Sequence, residues 1–162
     1  MRYISLLCFS VSIVFSSTSL ASSSDSPLGW YSKNQTLYYG KEKSDIRYGA
    51  FACDKKSQKI YFSINQEMEG LKSNKEKRIE IVVNEKSFSL KVKGKFDAGW
   101  ENAVPEISFT KTEFNNKESF VNYIANHQGV ITHFLGGENP HIPLNRDFHE
   151  RYSKLTKQCF GN

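Results

Sequence analysis

Asn145–Cys159, NRDFHERYSKLTKQC, is the stretch whose reading decides the fold. Phe148, Tyr152, Leu155 and Cys159 recur at helical spacing, Asn145 is placed to cap the start, and Lys154 and Lys157 suit the negative end of the helix dipole. The pattern predicts an amphipathic terminal helix whose last apolar-face position is a cysteine. Apart from Cys8 in the leader, the only other cysteine is Cys53. A Cys53–Cys159 bridge would tie that helix onto an N-terminal sheet, and two buried free thiols are the competing reading.

Residues 1–21 read as a secretory signal peptide: Arg2 precedes an apolar run from Tyr3 to Phe15, and Ser19-Leu20-Ala21 offers a cleavage site. Cys8 lies too early in that run for a lipoprotein site. No later window approaches the length of a membrane span, so no transmembrane segment is expected in residues 22–162. Residues 22–29 read as a flexible lead-in and 30–162 as one globular domain. This layout implies a periplasmic or secreted protein. The Lys-, Asn- and Ile-rich composition suits a bacterium, although Asn34-Gln35-Thr36 would be a glycosylation acceptor in a eukaryotic pathway.

Between Thr36 and Phe109 short apolar-alternating runs are separated by polar clusters. They predict six strands, at 36–40, 47–53, 58–64, 77–84, 88–95 and 104–109. A four-residue turn at Asn84–Ser87 would pair Val83 with Phe88, Ile81 with Leu90 and Ile79 with Val92, leaving Arg78 opposite Lys93. A turn at Asp54–Ser57 would set Cys53 against Gln58 and Phe51 against Ile60. Both registers gather the apolar residues, Cys53 included, on one face. Asn116 then caps a helix over 117–128, Val130–Leu135 and His141–Leu144 form a small hairpin, and the terminal helix follows. The fold class expected is α+β: a mainly antiparallel β-meander, sheet or partly open barrel, with two helices packed on it.

Charge is uneven. Residues 22–95 carry 15 basic and 9 acidic residues, and residues 96–162 carry 6 and 8. Lys91, Lys93 and Lys95 alternate with apolar positions and should share the outward face. Tyr48, Lys59 and Tyr61 fall opposite Phe51 and Phe62, so an uncovered outer face would be an aromatic and basic binding surface. Lysines on such a strand also discourage edge-to-edge pairing, which is the purely structural reading. Export and the lack of a recognised motif argue against nucleic acid.

All four histidines lie between His127 and His149. A three-residue loop at Gly136–Glu138 would make His133 and His141 cross-strand partners about 5 Å apart at Cβ, a possible metal pair. A four-residue loop would put them on opposite faces. His149-Glu150 begins a zinc-protease motif, but Ser153 stands where its second histidine is required. No nucleophile elbow, phosphate loop or Cys-x-x-Cys is present, and no cofactor is implied. Trp100 among Asp97, Glu101 and Glu106 has the composition of a sugar cleft, without the geometry that would make it one. The function these observations imply is a non-enzymatic exported binding protein, inhibitor- or immunity-like or an envelope accessory factor. Its partner would be another exported protein or an anionic envelope component. The alternative is a small envelope hydrolase, metal-dependent if the His127–His149 region supplies ligands.

Overall fold

A computed structural model describes residues 26–96, 101–133 and 141–161, with His133 by its backbone alone. The expected signal peptide, Asp97, Trp100 and the turn before His141 lie outside the described residues.

Nine strands form one antiparallel sheet: β1 (Leu28–Lys33), β2 (Thr36–Lys41), β3 (Arg47–Asp54), β4 (Lys59–Ile64), β5 (Glu76–Val83), β6 (Lys86–Lys95), β7 (Val104–Thr110), β8 (Gly129–His133) and β9 (Ile142–Leu144). The helices are α1 (Lys111–Asn115), α2 (Phe120–Asn126) and α3 (Arg146–Phe160), three where two were expected. The spatial order β1-β2-β3-β4-β7-β6-β5-β8-β9 is not a simple meander, because β7 inserts between β4 and β6. The sheet curls into a half-barrel, and the indole N–H of Trp30 on one edge strand donates to the Pro143 carbonyl on the other at 2.7 Å.

The terminal helix forms as its sequence requires. The Asn145 side chain accepts from the Phe148 amide, and Gly161 ends the helix in the left-handed region at φ 63°. Its buried stripe, Phe148, Tyr152, Leu155 and Cys159, lies inside the curl. Phe51 stacks on Phe62 at 4.4 Å between ring centroids and meets Tyr152 edge-on at 5.2 Å. Full burial of each such side chain contributes about 1.5–3 kcal/mol. The Cys53–Cys159 bridge is formed, across a sequence separation of 106.

Two hairpin registers differ from expectation by two residues, which keeps every side chain on its face but changes its neighbour. β5 and β6 are joined by the two-residue turn Asn84-Glu85, with φ 47° and 69°, so Ile81 pairs with Phe88 and Arg78 with Lys91. In the other hairpin Cys53 pairs with Ile60 and Phe51 with Phe62. β1 begins two residues ahead of the expected domain start, joined to β2 by a similar turn at Asn34-Gln35, with φ 49° and 63°. Positive φ at both positions matches the twist of a two-residue hairpin, and asparagine tolerates it better than most residues. α2 starts later than expected because Ser119, not Asn116, accepts the amide of Asn122 as its cap.

Candidate functional site

Buried side chains of α2 and α3 pack on the inner face against Phe51, Phe62, Phe88 and Phe109, and Phe114 of α1 packs on Tyr152 and Phe160 of α3. No helix among the described residues covers the outer face. There one row of paired positions runs Tyr31, Tyr38, Ala50, Ser63, Glu106, Lys93, Glu76 across seven strands. At one end Tyr31 and Tyr38 stack at 5.3 Å, and the Arg47 guanidinium lies 4.9 Å over the Tyr38 ring. Arg47 Nε also donates to the Tyr31 hydroxyl at 3.3 Å, which holds the guanidinium pKa above its ordinary value.

The six expected binding residues are only partly brought together. Lys59 and Tyr61 stand on the outer face, opposite Asp54 and Ala52 on β3. The Asp54 carboxyl, held below its usual range by the Ser57 hydroxyl and the Lys56 amide, anchors that turn. Tyr48 is separated from Tyr61: a register shift between Tyr39 and Gly40 accompanies its packing against the core, its ring 6.2 Å from buried Tyr39. Lys91 and Lys95 are exposed but occupied, by Glu76 at 2.6 Å and Glu106 at 3.1 Å. Lys93 and Arg78, both exposed, have no ion-pair partner among the described residues.

Beside these cations, between β6 and β7, the sheet is split. β6 and β7 pair only at Lys93–Glu106, Gly94–Pro105 and Lys95–Val104. Beyond Lys93 they diverge, and a groove of about 430 Å³ opens between Ser89, Leu90 and Lys91 of β6 and Ile107, Ser108 and Phe109 of β7. Phe120 of α2 underlies it, 5.6 Å from Phe88 and 5.8 Å from Phe109. A helix cap stands at the end of the split. Thr110 ends β7 as the cap of α1, and its amide and hydroxyl both donate to the Glu113 carboxylate, at 2.8 and 2.9 Å. The Thr110 amide is thereby committed to Glu113 and not to β6, while Thr110 still pairs with Lys59 of β4.

Strand alternation identifies the open hydrogen-bonding groups. Gly94 exchanges backbone bonds with Lys75 and Asn74 on the β5 side. The amides and carbonyls of the odd-numbered residues Ser87, Ser89 and Lys91 therefore face β7, where no ladder receives them. Ser108 lies in the same phase between Glu106, which pairs with Lys93, and Thr110, whose amide goes to Glu113. A Cβ at Gly94 would run into the Lys72 carbonyl, so glycine there permits the close approach that fixes this phase.

The histidines do not converge. β8 and β9 adopt neither expected register: Ile131 pairs with Ile142, so His141 sits beside Thr132, whose Oγ1 is 3.3 Å from His141 Nδ1. The backbone of His133 pairs with Ile81. His127 stacks on Tyr123 at 3.9 Å, and His149 packs edge-on against Phe148. Among the described residues no group of three or more His, Cys, Asp or Glu could hold a metal ion. No helix among them is long and apolar enough to cross a membrane.

Comparison of the chain with protein-family models, curated proteins and solved structures finds no match to any of them. The groove residues not singled out in the sequence are Glu76, Ser89, Ile107, Ser108 and Glu113, with the Thr110 cap beside them. The spacing Thr110-x-x-Glu113 is the one signal that marks any of them, as a capping box ending a strand.

Proposed function

We propose that this is an exported, non-enzymatic binding protein that engages another exported protein through the outer face of its sheet. The observation that carries the reading is the face left uncovered among the described residues, on which Arg78 and Lys93, without ion-pair partners there, line one side of a groove with an apolar floor. Half-buried Tyr61 and Lys59 continue the same face two strands away. A surface with a few fixed polar groups around an apolar depression has the composition of a recognition site. The disulfide is compatible with an oxidising compartment.

Affinity capture tests this. The oxidised protein, immobilised and exposed to envelope and secreted extracts, should retain one protein stoichiometrically through a high-salt wash, and lose it when Lys93→Glu and Tyr61→Ala are combined. Polyanions released by salt would instead assign the face to an anionic envelope component. Retention unaffected by the double substitution would move the interface off this face.

A further inference from the structure

We infer that the split between β6 and β7 is a receptor for an extended segment of the partner protein, which adds to the free edge of β6 as a β-strand and alternates apolar with acidic side chains. The inference rests on the outer-face reading above and specifies its chemistry. Three observations converge on it. The edge is straight and unbroken: β6 pairs with β5 over eight consecutive positions, from Val83↔Lys86 to Glu76↔Lys93, with no register shift and no proline. The amides and carbonyls of Ser87, Ser89 and Lys91 face the gap, and all three residues are exposed. Such an edge templates another strand, as peptide-binding sheets do.

The side chains around the gap then define the guest. A residue of the incoming strand on the inner side would meet Leu90, Val92, Ile107 and Phe109, and must be apolar. A residue on the outer side would lie beside Lys91 and diagonal to Lys93, and must be acidic. Each of the three carboxylates near the groove has a partner other than Arg78 or Lys93. Glu76 is held by Lys91, Glu106 by Lys95, and Glu113 by the Thr110 cap. Lys91 itself is drawn by Glu76 toward β5, away from the edge, so it does not block the approach. Lysines that repel neutral or basic strands admit an acidic one, which turns edge protection into selectivity. From Ser87 to Lys91 the edge accommodates about five residues at roughly 3.4 Å each.

The test uses the disulfide-bonded protein as recovered after export, labelled with 15N, and a library of hexapeptides of the Val-Glu-Val-Glu type with their lysine counterparts. Acidic members should shift the amides of Ser89, Lys91 and Ser108 and slow their hydrogen exchange, while the lysine peptides leave them unmoved. Ser89→Pro deletes an amide that faces the gap, not the β5 ladder, and should weaken binding about tenfold. Lys93→Glu leaves the backbone intact and should reverse the preference toward lysine peptides, which keeps the test valid if the proline variant does not fold. Silence of these amides toward every peptide would overturn the inference. Shifts confined to Tyr61 and Ser63 would also overturn it while leaving the outer-face reading standing. Loss of partner capture from the unsubstituted protein would count against that reading itself.

Discussion

β3 and β4 pair over six consecutive positions, and beneath them Phe51, Phe62 and Tyr152 pack under a disulfide. β6 and β7 are also sequence neighbours in one sheet, yet they pair over three positions and then part. Both pairs send apolar side chains inward, so the hydrophobic effect does not distinguish them. The difference lies in what happens to the backbone at the strand end. At β3–β4 the Asp54 side chain bonds the amides of its own turn, and the ladder runs to its last residue. At β7 the cap of α1 takes the Thr110 amide, and the ladder toward β6 stops at Lys93–Glu106. A region sealed by side chains and a covalent bond carries stability. A region with unspent backbone groups is where a partner can gain from binding.

The sharpest way to separate the two is to break the seal. Reduction of Cys53–Cys159, or replacement of both by alanine, frees a loop spanning a sequence separation of 106. The chain-entropy model places the loss at about 4–5 kcal/mol, an upper figure because it neglects changes in the native state. Denaturant midpoints of oxidised and reduced protein measure it. Under native conditions the Ser89 and Lys91 amides should keep their exchange rates, since the bridge lies on the other half of the sheet. An equal change at both regions would show that seal and split are not independent.

A smaller effect of opposite sign comes from the same sealed region. Tyr152 is buried and its hydroxyl has no hydrogen-bond partner among the described residues; burial alone pushes its pKa well above the usual value. Tyr152→Phe removes an unpaid desolvation cost and keeps the ring contacts with Phe51 and Phe148. The variant is expected to gain about 1 kcal/mol, read as a raised Tm at neutral pH. A lower Tm would mean that the hydroxyl is bonded in solution.

Much of the sealed half was legible in the amino-acid sequence, because burial writes itself into strand and helix periods. The alternation at Phe51, Cys53, Ile60, Phe62 and Ile64 marks the inner face, and the spacing of Phe148, Tyr152, Leu155 and Cys159 marks the helix it receives. Turn length was not legible at Asn84-Glu85 or Asn34-Gln35, where neither position is glycine and the positive φ values leave only an asparagine as a trace. A two-residue slip conserves faces, so Ile79, Ile81 and Val83 are inward in either register while Arg78 meets Lys91 and not Lys93. The insertion of β7 beside β4 has no local signal at all, since strands far apart in sequence select each other by the fit of whole faces. The capping box at Thr110 and Glu113 is present in the sequence, and the expected helix start at Asn116 passes over it. Without α1 in view, β7 reads as a strand free to run alongside β6, and the split does not show.

Glu113 therefore offers the finest cut between the two regions. Its carboxylate receives the amide and hydroxyl of Thr110 and completes a reciprocal cap, with its own amide bonded to Thr110 Oγ1 at 3.3 Å. Glu113→Ala removes the acceptor and should cost about 1 kcal/mol or less, the usual range for a cap, with no change in the disulfide or the aromatic core. The released Thr110 amide must then find water or the nearest free carbonyl in strand phase, which is that of Ser89. If the cap holds the split open, hydrogen exchange at Thr110 and Ser108 slows in the variant as rungs form toward β6, and the groove loses acidic peptides while the protein stays folded. Faster exchange at both amides would mean instead that the strands part for a reason other than the cap, and that the divergence is set by the curl of the sheet around Phe120.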